Sequence, residues 1–404
     1  MNDFLWQMHH RLVHNTATEP KRFIYNQLSS SARLIGVVGS RGVGKTTLLL
    51  QHLKSNYDPY HQAFYVSVDN TYFNEHSLLD FIHQMLQLYD IQCFYLDEIH
   101  KYPNWNQELK NLYDAFPQLK IIFSGSSSIN LLKGTYDLSR RAQLVELPGL
   151  SFREYLNFKL NTQFEAYSLS YLLDNHVAIA SDLAHSLTIL RHFKDYLLMG
   201  YYPNVFDIGH DLIYATLAHV IEQSIYEDIA HFYNLKTHYL SHFQRILNFL
   251  ATIPPGQIKT NTIATRLGLD NKTVDYYLDI LYQTRLIHKL FASRQGSSAL
   301  SKPAKVYMNN TTLLAAFNTQ LNQAVNYGTL RETAFVQALY GTTYQAFYPQ
   351  IGDFQIHDTI FEVGGHSKTQ HQLKQSTSPT YIVKDDQVIG INNTLPLYLL
   401  GFLY

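Results

Sequence analysis

The run "GSRGVGKTT" places Gly39, Ser40, Arg41, Gly42, Val43, Gly44, Lys45, Thr46 and Thr47 in an order that suits phosphate chemistry. It satisfies G-x-x-x-x-G-K-[ST], follows the apolar run "RLIGVV" and leads into "TLLLQHLK", which has the composition of a helix. Glycines let successive backbone N–H groups curl around phosphates, and the helix N-terminus adds a favourable dipole. Lys45 would reach the terminal phosphates and the Thr46 hydroxyl would ligate magnesium. Further along, "CFYLDEIHKYPNW" ends an apolar run in Asp97 and Glu98. A carboxylate at a strand's end holds magnesium through water, while its neighbour orients the attacking water. The expected cofactors are ATP and Mg2+, with Asp97 and Thr46 as metal-holding residues and Glu98 and Asp97 as catalytic ones.

The next apolar run ends in "IIFSGSSS", where Ser124 or Ser126 can set a hydroxyl beside the terminal phosphate and sense hydrolysis. "YDLSRRAQLVEL" then offers Arg140 and Arg141, of which Arg141 is the candidate for compensating transition-state charge in a neighbouring subunit. That role would require a homo-oligomer. A solvated basic turn is the plain alternative.

These residues need a scaffold, and the chain provides its rhythm. Between about 33 and 147 the strand-like runs "RLIGVVG", "QAFYVSV", "IQCFYLD", "LKIIFSG" and "AQLVEL" alternate with amphipathic segments, the pattern of a mainly parallel α/β sheet covered on both faces. From 151 to about 250 strand signals vanish and Leu, Tyr and Phe recur at helical spacing. "DEIH" also invites a helicase reading, but that needs a second RecA-like domain, which this helical stretch does not supply. At 404 residues the chain is long enough for two to four domains, and 46% hydrophobic residues allow a sizeable core. The formal charge of -1 excludes whole-chain attraction to nucleic acid and leaves only local basic faces. Cys93 is the single cysteine, so no internal disulfide or cysteine-based zinc site is available. Without a long apolar run, a cytoplasmic location with no membrane partner is expected.

After the helical stretch, "PPGQIKTNTIATRLGLDNKTVDYYLDILYQTRLIHKLFA" reads as a winged helix-turn-helix. Lys259, Arg266, Lys272, Arg285, Lys289, Arg294, Lys302 and Lys305 outnumber Asp270, Asp275 and Asp279 there, which makes DNA one candidate partner. A protein partner is the alternative. His238 and His242 have the spacing of two zinc ligands on a helix face, yet no H-E-x-x-H glutamate accompanies them. The abundant tyrosines and phenylalanines are explained by packing more simply than by base stacking.

Near the end, "IGDFQIHDTIFEVGGHSKTQHQ" sets Asp353 and Glu362 on short apolar strands, as metal-dependent PD-(D/E)xK nucleases set their carboxylates. Glu332 is a third candidate. Gly364 stands where the lysine belongs and Gly365 follows it, so only Lys368, with Gln372 a turn beyond, could act as a displaced lysine. Nuclease activity is therefore not expected.

The succession "GSRGVGKTT", "FYLDEIH", "FSGSSS", "LSRRA" and "LSFREYL" resembles bacterial and archaeal AAA+-type P-loop ATPases with a C-terminal domain of unknown function. "RHFKDYLLMGYYPNVF", "KPAKVYMNN" and "FEVGGHSKTQHQL" extend the likeness over nearly the whole chain. The resemblance implies an ATP-binding core over 1–150, a helical lid over 151–235, a winged helix over 236–300 and a restriction-nuclease-like α/β fold over 301–404. The function it implies is a magnesium-dependent ATPase coupled to a DNA- or protein-binding module. A nucleotide-controlled switch or scaffold without DNA binding, or a metal-dependent nuclease, are the alternatives.

Overall fold

The computed structural model describes residues 3–125, 138, 140–254, 260–293, 303–365 and 376–404. Ser126, Lys259, Arg294, Lys302, Lys368 and Gln372 lie outside the described residues. The chain divides into two compact units, 1–148 and 149–404.

In the first unit, the apolar runs become β1 (Leu34–Val38), β2 (Ala63–Ser67), β3 (Cys93–Asp97), β4 (Lys120–Gly125) and β5 (Ala142–Glu146). They form one parallel sheet in the order β2-β3-β4-β1-β5. Every residue of β1 and β3 is buried, as central parallel strands covered on both faces must be. Register aligns Val37 with Ser124 and Ser67 with Asp97, so the carboxyl ends of β1, β2, β3 and β4 meet at one edge. Loops at that edge are where open α/β sheets bind ligands. Ala142 pairs instead with Leu34, at the opposite edge.

Helix α1 (Asp3–Asn15) lies along edge strand β2. His9 stacks on Phe64 with ring centroids 4.9 Å apart, and its Nδ1 accepts the Tyr65 N–H at 3.0 Å. That acceptance puts the ring proton on Nε2, which donates to the Pro59 carbonyl at 2.7 Å. The remaining helices of this unit are α2 (Lys45–Asn56), α3 (Leu78–Leu88) and α4 (Trp105–Ala115).

The second unit begins with the helix Phe152–Leu160, closed by a capping box of Ser151 and Glu154. Ser151 Oγ and Arg153 Nε both donate to the Tyr404 carbonyl, at 2.7 and 2.9 Å. Helices Leu169–Ser186, Ile189–Met199 and His210–Gln223 follow, the last running into a π turn at Ser224–Ile229. Helices Thr237–Thr252, Thr260–Leu267 and Asn271–Gln283 then lead to a two-stranded antiparallel ribbon of β6 (Ile287–Leu290) and β7 (Lys305–Met308). After helices Thr311–Gln320 and Tyr327–Gln337 comes a four-stranded sheet ordered β11-β10-β9-β8. Its strands are β8 (Phe354–Ile356), β9 (Thr359–Gly364), β10 (Thr380–Lys384) and β11 (Thr394–Pro396), with only β8 antiparallel to its neighbour. Asp353 stands just before β8, not on it, and Glu362 lies in the middle of β9.

Among the described residues, no helix is long and apolar enough to cross a membrane.

Candidate nucleotide site

The Gly39–Gly44 loop joins β1 to α2, so its curvature is fixed at both ends. Gly44 caps α2 with φ of 95°, a left-handed conformation that side chains with a Cβ resist. Gly39 has no room for one, because an added Cβ would come within 2.3 Å of the Leu147 carbonyl oxygen. Lys45 is buried and folds back into the loop, donating to the carbonyls of Gly39 and Ser40 at 3.0 Å each. Ser40, Arg41, Gly42 and Val43 form the rest of the loop, and Thr47 follows Thr46 in the first turn of α2.

Thr46 Oγ1 donates to Asp97 Oδ2 at 2.6 Å, joining the loop to the end of β3. Asp97 is 2% exposed and takes three further donors. The Tyr65 hydroxyl donates to Oδ2 at 2.8 Å, the Glu98 N–H reaches Oδ1 at 3.2 Å, and the Ser124 hydroxyl also donates to Oδ1. Ser124 in turn accepts the Glu98 N–H at 3.1 Å. Burial, followed by the charge of Asp97, pushes the Tyr65 phenol well above its usual range, so it remains a proton donor. Glu98 sits in the left-handed region at φ 54°, with Oε2 3.4 Å from Nε2 of the buried His100.

Arg141 lies elsewhere. It precedes β5 at the far edge of the sheet, roughly 15 Å from the loop at ~3.3 Å per strand residue. Its guanidinium pairs with Asp114 through Nε and Nη2, at 3.1 and 3.2 Å.

Three contributors escaped the sequence reading. Arg22, 5% exposed, donates from Nη1 to the Val43 carbonyl and from Nη2 to the Pro148 carbonyl, both at 2.7 Å, bracing the loop from behind. Tyr65 and His100 hold the two acids. Neither Arg22 nor Tyr65 carries a local signal, since their partners are 21 to 126 residues away in sequence. His100 stands two residues after Glu98 in "DEIH" and was legible only as part of that string.

In the second unit, no group of three metal-ligating side chains occurs among the described residues, and His238 and His242 belong to no such cluster. Several of the charges between 260 and 290 are used internally. Asp270 caps the helix Asn271–Gln283 by accepting the Thr273 N–H at 2.9 Å, Asp275 accepts Thr260 Oγ1 at 2.8 Å, and buried Lys289 pairs with Asp279.

With the site's geometry established, residues 31–156 match the family model of an AAA domain. Residues 190–326 match a domain of unknown function. An uncharacterized protein of Methanocaldococcus jannaschii is 26% identical over 347 residues, covering 80% of this chain and 72% of that one. A Haemophilus influenzae protein is 27% identical over 204 residues, covering 48% of this chain and 44% of that one, so the chain spans less than half of this relative. AMPPCP-bound DnaA from Aquifex aeolicus overlaps 68% of this chain and 87% of its own at 18% identity, with a TM-score of 0.30. C. elegans PCH-2 overlaps 44% of this chain and 47% of its own at 15% identity, with a TM-score of 0.24. Overlaps that loose carry no conclusion about this chain.

Proposed function

We propose that the chain binds ATP with magnesium and hydrolyses it, and that nucleotide state controls the module built from residues 149–404. The observation that carries this reading is the Thr46–Asp97 bond of 2.6 Å, which brings the phosphate loop and the acid-ended strand to one point. Thr46 and Asp97 offer two adjacent hard oxygens, a donor set that fits magnesium. Bound there, the ion would neutralise charge developing on the phosphates. Lys45 exchanges its carbonyl partners for phosphate oxygens, Glu98 orients water, and Ser124 ties the two acids to β4. Lys45→Ala should abolish ATP binding, and Glu98→Gln should bind ATP but turn over roughly 10²–10⁴-fold more slowly. Normal turnover in either variant would sink the assignment.

Arg141 fits the reading only as a residue acting in a second copy, because its own loop lies at the opposite sheet edge. The stretch 236–300, with the helices Thr237–Thr252, Thr260–Leu267 and Asn271–Gln283, is read as a winged helix, and β6 with β7 would supply its ribbon. Burial of Lys289 and Lys305 removes two cations from any DNA-facing surface and favours a protein partner over DNA. DNA binding at low salt that weakens steeply with added salt would reverse that preference. The C-terminal sheet is read as a nuclease-like fold that does not cut. A Cβ on Gly365 would meet the Arg331 guanidinium at 2.9 Å, so an arginine from another helix crowds the glycine pair that replaces the lysine. Magnesium- or manganese-dependent cleavage lost in both Asp353→Ala and Glu362→Ala would overturn this part.

A further inference from the structure

A nuclease-like sheet implies a divalent ion between its carboxylates, and the side chains around Asp353 do not fit one. Lys305, from ribbon strand β7, is buried with its Nζ 2.8 Å from Glu332 Oε2 and 3.6 Å from Asp353 Oδ1. One oxygen of each carboxylate also takes a further donor. Glu332 Oε2 also accepts the Tyr307 hydroxyl at 2.8 Å, and Asp353 Oδ2 accepts the Val363 N–H at 2.9 Å. The Tyr348 and Phe354 rings stand 5.0 and 6.0 Å from the ammonium and wall it in.

We propose that Lys305 is the built-in counter-ion of the Glu332–Asp353 pair, occupying the position a divalent cation would need and excluding it. Magnesium and manganese demand several oxygens at close range, and an ammonium hydrogen-bonded to Glu332 and ion-paired with Asp353 repels a second cation from both carboxylates. Burial, opposed by Lys305, leaves the Glu332 carboxyl above its usual range, and burial keeps the Tyr307 phenol protonated as a donor. The cluster therefore ties three elements together: β7, the helix Tyr327–Gln337 and the entry to β8. This inference rests on the nuclease-like reading of the C-terminal sheet and is independent of the ATPase reading, since every contact it uses lies within residues 305–363.

The test titrates the full-length, nucleotide-free chain with Mn2+ and reads free ion by electron paramagnetic resonance, which needs no enzymatic activity. Wild type and Glu332→Gln should take up equal Mn2+, the nucleotide loop contributing the same background to both. Lys305→Ala should gain a site roughly 10–100-fold tighter than any wild-type uptake that depends on Asp353, and adding Asp353→Asn should remove it. Wild-type uptake that falls in Glu332→Gln overturns the proposal, as does a folded Lys305→Ala variant that gains nothing. Should Lys305→Ala fail to fold, as judged by circular dichroism, the comparison of wild type with Glu332→Gln decides alone.

Discussion

Tyr65 and Ser124 come from two different strands yet donate to opposite oxygens of the same carboxylate, that of Asp97. Thr46, in the first turn of α2, adds a third hydroxyl to that carboxylate. Asp97 is thus held from β2, β4 and α2 at once, and its aim depends on all three.

Removing the Tyr65 hydroxyl alone should reveal how much of that aim matters. Tyr65→Phe keeps the ring and loses one charge-assisted bond, so stability should drop by about 1.5–3 kcal/mol in urea unfolding. ATP affinity should stay near wild type while turnover falls several-fold. A fall in affinity with unchanged turnover would assign Tyr65 to binding instead.

Arg22 should matter more than its place outside the motif suggests. Arg22→Ala removes both donors that brace Val43 and Pro148, each worth about 1.5–3 kcal/mol when the donor is charged. The expected result is a lower unfolding midpoint together with weaker ATP binding, measured by calorimetry. Arg22→Lys should recover only part of both, because an ammonium lacks the forked geometry that reaches two carbonyls.

The first unit should weaken in mild acid. Burial lowers His9 from its ordinary 6.5 to about 4, and burial followed by the charge of Lys120 lowers His52 likewise to about 4. Between those values the unfolded chain binds protons that the folded one refuses, so stability falls as pH drops from 6.5 towards 4. Each ring can contribute up to about 3 kcal/mol to that loss. Denaturation midpoints at pH 7.5 and pH 5 check it, and His9→Gln should flatten the dependence.

Arg141 gives a prediction about assembly. If it serves a neighbouring site, turnover per chain should rise with protein concentration, and Arg141→Ala should abolish that rise. Asp114→Ala, which removes the carboxylate pairing with Arg141 at 3.1 Å, should leave turnover intact or raise it. Full activity from a monomer at every concentration would exclude the role.

The five apolar runs from "RLIGVVG" to "AQLVEL" were legible as strands because each is short, apolar and followed by turn residues, and all five form the parallel sheet. The glycine loop and its helix were legible for a related reason, since the backbone geometry they need restricts which residues can stand there. Lys305 reads in the sequence as one of the cations of the winged-helix stretch, yet it is buried against Glu332. Composition records a charge but not its partner, and a partner 27 residues away leaves no periodic trace. Arg22 and Tyr65 were invisible for the same cause.

The contact between His9 and the backbone of Tyr65 also bears on solubility. An outermost strand with free N–H groups is a template on which other chains can add, and β2 occupies that place in its sheet. The imidazole fills one such hydrogen-bonding position, while Trp6 covers Phe64 with ring centroids 4.7 Å apart. A chain shortened past Asn15 would retain the whole phosphate loop but bare this rim, and it should sediment as aggregates where the longer chain stays dispersed.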